Sequence, residues 1–493
     1  MNKFIYIIII AISIILYTFT VRGSWGNPTR AEIDSNLNSS GQVFETSQER
    51  ARYAMILSLV NDHVVNIDNY AAMAMPDVGA SKGHYYSLFP AGASVLAVPF
   101  YLAGRAIGGA QMLTFLISTV FCVLVMLVIA RFCLKLGLHW SVALFGSLSF
   151  GFATNAWGYS VTFYSHLISA FIIISGLYLT VFSEGKYIIL RAFGIGFLYG
   201  LAVFVDFPNL VIFFPIAFLF TIKAFRISKD KEKFELHIDW RYFVAPVAFA
   251  GLMGVYCWSN YVNYGSPTVF SNFFPRVKDL TVVQTESHQA GGSPASAANT
   301  RNMLQGLQSF IVSPDRGLIR YTPVVLLFIF GLGYLKRQKR NIEVILLTLP
   351  LVCLLSYSMF GDPYGGWAFG SRYMLAVMPE LCIMAAIGLQ RFGLFAKILY
   401  SLVFIYSASI SLLAPLTTNA IPPKVEAVGL GLHYDYSINL QMLTNDELNS
   451  FFYNHVLQGR ISGIDYYSAI LILVVLIGAF VIWYPRKYEI KNK

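Results

Sequence analysis

Carboxylates stand out among the side chains of this sequence that could do chemistry. Three of them, Glu49, Asp68 and Asp77, fall in one polar segment over residues 21–109, with Glu45 close to the first. A carboxylate held near a substrate hydroxyl can accept its proton. Glu49 also has a purely structural alternative, a surface ion pair with Arg52 or Arg50 on its own helix, which would contribute only about 0.3–0.5 kcal/mol. The sequence therefore predicts that one of these acids is a general base and leaves open which one.

Arginines next to turns form a second group. Arg372 follows a glycine-rich stretch, Gly365 to Gly370, and Arg316 lies in Ser313-Pro314-Asp315-Arg316-Gly317-Leu318. A planar guanidinium can bind two oxygens of an anion at once, and glycines let the backbone approach a ligand closely. A juxtamembrane contact with lipid headgroups is the alternative for Arg372, and a salt bridge with Asp315 is the alternative for Arg316.

The composition indicates where these groups must be held. The 493 residues are 56% hydrophobic and only 12% charged, which excludes a soluble globular enzyme and an intrinsically disordered chain. The five cysteines show no paired spacing, so neither a disulfide framework nor a zinc site is indicated. The pattern is that of a polytopic membrane protein.

Apolar runs close to the length needed to cross a bilayer recur twelve times, give or take one. We place spans at 4–20, 110–130, 141–158, 161–183, 191–206, 209–222, 243–260, 322–335, 344–360, 374–390, 398–414 and 466–484. The first run has no clear cleavage site after it, so an uncleaved anchor is favoured over a signal peptide. His166, Asp206 and Glu380 fall within spans, where ionisable residues are functional candidates by default. A packing role is an equal alternative for His166 and Asp206.

Charge sets the orientation. With the N-terminus inside, 21 of the 35 Lys and Arg residues fall in short inside segments, as the positive-inside rule expects. Both termini are therefore predicted to be cytoplasmic, and the net charge of +10 needs no nucleic-acid partner to explain it. The long segments 21–109, 261–321 and 415–465 then lie outside, which places the chemistry on the external face.

Two helices are expected within the first external segment. Ser47 to Asn61 shows apolar residues at near-helical spacing, typical of an amphipathic helix on the membrane surface. Phe89 to Gly104 is apolar but interrupted by prolines and glycines, which favours an interfacial or re-entrant helix over a thirteenth span. The Gly-, Ala- and Ser-rich stretch 285–300 is expected to be a mobile loop or a lid.

Four motifs in order resemble bacterial GT-C glycosyltransferases, the multi-span enzymes related to protein mannosyltransferases and aminoarabinose transferases. They are Glu49-Arg50-Ala51-Arg52-Tyr53, Lys82-Gly83-His84-Tyr85-Tyr86-Ser87 leading to Phe89-Pro90-Ala91-Gly92, Ser313-Pro314-Asp315-Arg316-Gly317-Leu318, and Gly365-Gly366-Trp367-Ala368-Phe369-Gly370-Ser371-Arg372-Tyr373. The resemblance extends from the first span to about residue 390. It implies transfer of a sugar, with inversion, from a polyprenyl-phosphate donor to an external glycan, lipid or protein acceptor.

The resemblance also implies residue roles. Glu49 stands four residues before Tyr53, where the aminoarabinose-transferase pattern Asp-Glu-x-Arg-Tyr has its first acid, and Arg50 replaces the second. Glu49 is the first candidate for the catalytic base, and Asp68 and Asp77 compete with it. No paired acid is evident, so no metal ligands are assigned and a divalent metal stays an open alternative.

The remaining site residues divide by role. Donor-phosphate binding is expected from Arg372, Arg316 and Lys82, in that order of preference. Lys82 is included because Phe89-Pro90-Ala91 lacks the lysine that related enzymes carry there. Four residues are expected to contact substrate: His84, Tyr85, His166 and Trp367.

The sequence thus predicts an all-α polytopic protein of the bacterial inner membrane with a GT-C-like fold. Residues 1–414 form the catalytic region, including external segments 21–109 and 261–321, and residues 415–493 supply an external segment, the last span and a cytoplasmic tail. A multi-span transporter or lipid-linked glycan flippase is the main alternative. A polymerase or ligase acting on diphosphate-linked glycans is a third.

Overall fold

A computed structural model describes residues 2–23, 25–27, 44–183, 187–230, 233–280, 300–333, 340–360, 364–391, 393–457 and 460–485. Most of the predicted mobile stretch (285–299), the basic cluster at 336–339 and the tail 486–493 lie outside these residues. The described chain is helical nearly throughout, and two short β-hairpins account for its strands. This confirms the predicted all-α class.

The α-helices follow one another along the whole chain. In order they are α1 (Asn2–Thr20), α2 (Ser47–Leu57), α3 (Ala71–Ala74), α4 (Gly92–Ile107), α5 (Ala110–Leu136), α6 (Trp140–Phe152), α7 (Ala156–Ser160), α8 (His166–Val181), α9 (Ile188–Val205), α10 (Asn209–Ile222), α11 (Val244–Tyr264), α12 (Met303–Ile311), α13 (Leu318–Tyr321), α14 (Arg340–Ser358), α15 (Met378–Arg391), α16 (Leu394–Leu416), α17 (Lys424–Leu430), α18 (Ser437–Thr444) and α19 (Gly463–Trp483).

Shorter elements connect them. The hairpin of β1 (Val78–Ser81) and β2 (His84–Ser87) is antiparallel, with Val78 opposite Ser87, and β3 (Phe225–Asp230) pairs with β4 (Lys233–Ile238) from Phe225 opposite Ile238. Two 3₁₀ helices also contribute to the core. One covers Pro323–Gly331, and the other covers Arg372–Val377 and leads into α15.

Seven helical segments among the described residues are long and apolar enough to cross a membrane. They are Ala110–Leu136, Ile188–Val205, Trp240–Tyr264, Asn341–Ser358, Arg372–Arg391, Leu394–Leu416 and Gly463–Trp483. All seven coincide with predicted spans. The predicted spans at 4–20, 141–158, 161–183 and 209–222 form shorter apolar helices.

One predicted span takes a different form. The stretch expected to span at 322–335 is a 3₁₀ helix over Pro323–Gly331, packed so closely on α15 that a Cβ at Gly331 would collide with the carbonyl of Met384. The stretch at 89–104 forms a helix as predicted, α4, which is shorter than the seven candidate spans and continues through Pro99. Its Gly92 does not interrupt the helix but lets it approach the backbone of Phe204.

The segment 47–61 forms the predicted helix, α2, yet the helix does not present a polar face to its surroundings. Glu49 and every residue from Ala51 to Leu57 are buried. The helix packs within the main hydrophobic core, so protein covers the face that the sequence suggested was polar.

Two hydrogen bonds each join helix ends that the sequence places on the same side of the membrane. Tyr466 at the start of α19 donates to the carbonyl of Phe19 at the end of α1 (2.6 Å), joining two predicted external ends. Lys223 after α10 donates to the carbonyl of Thr180 at the end of α8 (2.7 Å), joining two predicted internal ends. One hydrophobic core runs from Ile5 to Ile482, so residues of both predicted regions pack together. We call the ends of α1 and α19 that Tyr466 joins, together with the predicted external segments 21–109, 261–321 and 415–465, the loop end.

Candidate functional site

The N-terminus of α2, at the loop end, carries three consecutive side chains that reach three different parts of the protein. Ser47 Oγ donates to Asp77 Oδ2 (2.6 Å), Gln48 Oε1 accepts from Arg372 Nη1 (2.9 Å), and Glu49 Oε1 accepts from the backbone N–H of Phe163 (3.1 Å). The helix begins here because Thr46 is extended and Glu49 accepts from its N–H (3.3 Å), as in a capping box. The first turn of one helix therefore contains Glu49 and contacts Arg372 through the adjacent residue, Gln48.

Glu49 is fully buried, with 0% of its surface exposed. Its Oε2 accepts from the N–H of Glu45 (2.9 Å) as well as from Thr46. Burial, and next the negative charge of Glu45, raise the pKa of Glu49 to about 7, although the backbone N–H groups oppose the shift. A carboxylate offers about four acceptor positions, and these hydrogen bonds occupy three. One acceptor position on Oε1 therefore remains unused by these hydrogen bonds.

Arg372 is buried beside two tyrosines. Its guanidinium carbon lies 5.2 Å from the ring centroid of Tyr373 and 5.9 Å from that of Tyr164. Its Nε has no hydrogen-bond partner among the described residues. Gly365, at φ +72°, makes room for it, since a Cβ there would lie 3.1 Å from that Nε. Gly365 therefore allows the backbone to approach Arg372 itself, and the predicted approach of this backbone to a ligand stays a prediction.

A second buried arginine, Arg52, belongs to the same cluster. Its guanidinium carbon lies 4.3 Å from the ring centroid of Phe89 and 5.9 Å from that of Tyr164, and Nη2 donates to Ser165 Oγ (3.3 Å). Burial lowers the pKa of Arg52 to about 10, which leaves it charged at neutral pH. Its Nε also lacks a partner among the described residues.

The two arginines therefore stand against one ring, that of Tyr164. Because each guanidinium carbon is 5.9 Å from the centroid, the two carbons are at most about 12 Å apart. Asp206, directly after α9, is the negative charge that acts on both. Two buried cations, each with an unused N–H, are suited to an anionic group with several oxygens. We call Arg52, Arg372, Tyr164 and the carboxylate of Glu49 the cation site, because its two arginines supply positive charge to a bound anion.

His166 lies next to the cation site, as the sequence suggested. Its ring stacks on Tyr164 with centroids 6.1 Å apart and an interplanar angle of 18°, and it meets the edge of Tyr373 at 6.0 Å. The first residue of α8 is thus part of the aromatic wall of the site.

Arg316 makes its hydrogen bonds to other groups. It is 1% exposed, pairs with Asp315 (Nε to Oδ2, 3.0 Å) and donates from Nη1 to the carbonyl of Gly366 (3.2 Å). It reaches Arg372 through the backbone, because Ser371 Oγ donates to the Arg316 carbonyl (2.6 Å).

Four predicted site residues gather on or beside the β1–β2 hairpin instead. Asp68 Oδ2 pairs with His84 Nδ1 (2.7 Å) and Asp68 Oδ1 accepts from the N–H of Tyr85 (2.6 Å), with the two paired side chains partly exposed. Lys82, in the turn at φ +51°, is exposed, and its ammonium end lies against Gly265. Tyr85 Oη donates to the carbonyl of Leu280 (3.1 Å). These contacts do not connect the hairpin residues to Glu49 or Arg372.

The last two predicted residues occupy separate places. Asp77 is buried, accepts from Ser47 and lies 3.3 Å from Nη2 of the exposed Arg276. Trp367, 39% exposed, donates from Nε1 to Glu426 Oε2 (2.8 Å). Within the described residues, no group of three or more His, Cys, Asp or Glu side chains could hold a metal ion.

Sequence reasoning missed Arg52 and Tyr164 as members of the site. Arg52 was considered only as a surface partner for Glu49, although it fills the arginine position of the Asp-Glu-x-Arg-Tyr pattern. Tyr164 stands two residues before His166 in a polar interruption of an apolar run, Tyr164-Ser165-His166, and that interruption was the available signal.

Comparison with known proteins gives one structural similarity. No protein-family model and no curated protein matches the chain. A crystal structure of the oligosaccharyltransferase from Archaeoglobus fulgidus, in complex with zinc and sulfate, is similar at 13% identity and a TM-score of 0.45. The similarity covers 90% of this chain and 56% of that one, so this chain spans little more than half of its length. A likeness at this level does not establish a family.

Proposed function

We propose that this chain is an integral membrane glycosyltransferase of the GT-C type, which transfers a sugar from a polyprenyl-phosphate donor to an acceptor at the external face. The observation that carries the proposal is the cation site: two buried arginines with unused N–H groups beside a buried carboxylate, at the loop end of an apolar bundle. The four motifs that resemble GT-C enzymes include three of its residues, Glu49, Arg52 and Arg372.

The chemistry assigns each group one task. An acceptor hydroxyl attacks the anomeric carbon of the donor sugar from the face opposite the phosphate, and the bond from that carbon to the phosphate oxygen breaks with inversion. The bonding electrons leave with the phosphate oxygen, and the hydroxyl proton passes to Glu49 Oε1. Arg372 and Arg52 stabilise the departing anion with fixed N–H donors in a site that excludes water.

Glu49 is preferred as the base because two contacts connect its helix turn to Arg372 and to the segment of Tyr164. Gln48 joins it to Arg372, and Phe163 joins it to Tyr164. Asp77 is the second candidate, since Ser47 links it to the same helix turn. Asp68, on the hairpin with His84, is better placed to contact the acceptor than to act as the base.

Tyr164, Tyr373 and His166 form the aromatic wall beside the two arginines. The donor's polyprenyl chain would lie along the apolar helices next to the loop end. We place the protein in the bacterial inner membrane with both termini in the cytoplasm, from the charge distribution. The acceptor is a glycan, a lipid or a protein, and a divalent metal stays an open alternative.

The test compares Arg372→Met with Arg460→Met, which removes an exposed arginine at the same loop end. Membranes carrying each variant are incubated with radiolabelled polyprenyl-phosphate sugars, and glycosylated product and free polyprenyl phosphate are measured. We expect Arg372→Met to lower transfer about 10²–10³-fold, as loss of one fixed donor to a developing anion does. Arg460→Met should retain full activity.

Equal transfer by Arg372→Met and the wild type would reject the cation site. Movement of the labelled lipid across the membrane without any product would favour the transporter or flippase instead.

A further inference from the structure

The motif Ser313-Pro314-Asp315-Arg316-Gly317-Leu318 forms a buried turn whose charged pair is almost completely enclosed. Asp315 is 0% and Arg316 1% exposed. Buried ion pairs are costly to form, because both charges lose water, so such a pair often sets a particular arrangement of the chain. The contacts of this pair identify the part of the chain that it arranges.

Most of its polar contacts are made to two other segments. Arg316 Nη1 donates to the carbonyl of Gly366 (3.2 Å), and the Arg316 carbonyl accepts from Ser371 Oγ (2.6 Å). Asp315 Oδ2 accepts from the N–H of Lys424 (3.2 Å), at the start of α17. The turn therefore holds the segment 364–371 near both of its ends and attaches it to α17.

The segment 364–371 depends on such support because its backbone shape is unusual. Gly365, Gly366 and Gly370 have φ values of +72°, +61° and +65°, conformations that only glycine adopts without strain. Glycine-rich backbone has many alternative conformations, so contacts from outside must select one. Arg372 follows this segment directly, and the placement of its guanidinium depends on the conformation selected.

We propose that Asp315 and Arg316 are positioning residues, which fix the segment 364–371 and so hold Arg372 in its orientation against Tyr164. The proposal rests on the proposed function of Arg372. It gives Arg316 a role other than the direct phosphate contact expected from the sequence. Its Nε and Nη1 are already bonded to protein, and only Nη2 lacks a partner among the described residues.

A double-mutant cycle tests whether the pair acts through Arg372. Asp315→Asn removes the ion pair, and Ser371→Ala, a milder change, removes one link without touching a charge. We expect each to lower kcat/KM for transfer in the wild-type background, by up to about 10²-fold for a displaced catalytic group. In an Arg372→Met background the same changes should have less than about a twofold effect, since coupled residues are not additive. Asp239→Asn, which disturbs the Asp–Arg pair with Arg241 before α11, is the control and should have no effect on transfer.

Amide hydrogen exchange provides a second measurement that needs no activity. The N–H of Ala368 donates to the carbonyl of Ile421 (2.8 Å) and that of Arg372 to Gly370 (2.9 Å), so both amides should be protected. Asp315→Asn should accelerate exchange over 364–372, and Asp239→Asn should leave it unchanged. Absence of any transfer by the wild type would defeat the proposed function, whereas exchange would still report on positioning.

Three results would overturn the positioning role. The first is an equal loss from Asp315→Asn in both backgrounds, which a purely structural effect would give. The second is a loss in transfer from Arg316→Met but none from Asp315→Asn or Ser371→Ala, which a direct phosphate contact would give. The third is unchanged exchange over 364–372 in Asp315→Asn.

Discussion

Replacement of Glu49 by glutamine separates catalysis from helix capping at a single position. Glu49 accepts from the N–H of Thr46 as the third residue of α2, and glutamine can serve at that position of a capping box as well. Glu49→Gln can keep the bonds from Glu45 and Thr46, but its NH2 then faces the N–H of Phe163, a mismatch that should cost about 1–3 kcal/mol of stability, and the proton acceptor is lost. Because general-base catalysis contributes about 10²–10⁴-fold, we expect kcat to fall by that factor.

The pH dependence of kcat/KM tests the role of Glu49 as the base independently of the variant. With a pKa of about 7, Glu49 is roughly one-tenth ionised at pH 6 and nine-tenths ionised at pH 8. Since the base must be ionised, kcat/KM should rise about tenfold between these pH values and fall about tenfold for each further unit below pH 6. A glutamate at the ordinary pKa of 4.5 would give a flat profile over the same range.

The assay is initial-rate transfer from a labelled polyprenyl-phosphate sugar in nanodiscs between pH 5 and 9, for the wild type, Glu49→Gln and Glu447→Gln. Glu447 is exposed at the loop end, so its variant controls for loss of a carboxylate. An acid limb near pH 7 that survives in Glu49→Gln would show that another group titrates. Wild-type kcat in Glu49→Gln would refute the assignment of the base and move attention to Asp77.

Two further predictions concern stability, each measured by thermal unfolding in detergent. Arg22→Met should destabilise the fold by about 3–5 kcal/mol, because it leaves the buried Glu45 side chain without Arg22, whose Nη1 lies 2.6 Å from Glu45 Oε1. A loss of stability no larger than that caused by the exposed Arg460→Met would contradict this. Gly196→Leu should lower the free energy of unfolding by about 1–3 kcal/mol or more, because a Cβ there meets the carbonyl of Ala245 on α11. Gly254→Leu, with open space beside it, is the control and should cost little. Similar losses in both variants would refute the close contact of α9 with α11.

The sequence predicted the helices that follow directly from apolar runs. The run at 209–222 coincides with α10 at both ends, because Pro208 before it and Lys223 after it interrupt the apolar pattern. Periodicity could not show that 323–331 would wind as a 3₁₀ helix, since that form depends on close packing against α15. Tertiary contacts overrode the local pattern there.

The burial of Arg52 explains why the sequence predicted Arg372 as a site residue but did not identify Arg52 as one. The glycines before Arg372 are a local signal, and the structure places Arg372 beside the turn of Glu49. Arg52 looked like a solvated residue on an amphipathic helix because its partners, Ser165 and Phe89, are distant along the chain or unremarkable alone. A single sequence contains no direct record of contacts between residues more than 100 positions apart, so the local signals at Arg52 and Tyr164 could not show that the two residues meet.

Mass analysis of lipid-linked sugars in cells that lack this chain tests the central proposal most directly, and it works whichever sugar is transferred. If the cation site discharges a polyprenyl-phosphate sugar, the deletion should accumulate that donor and lose one glycan. Wild-type protein and Arg460→Met should restore both, and Glu49→Gln and Arg372→Met should restore neither. An unchanged donor pool in the deletion, or full restoration by the Arg372→Met variant, would contradict the account.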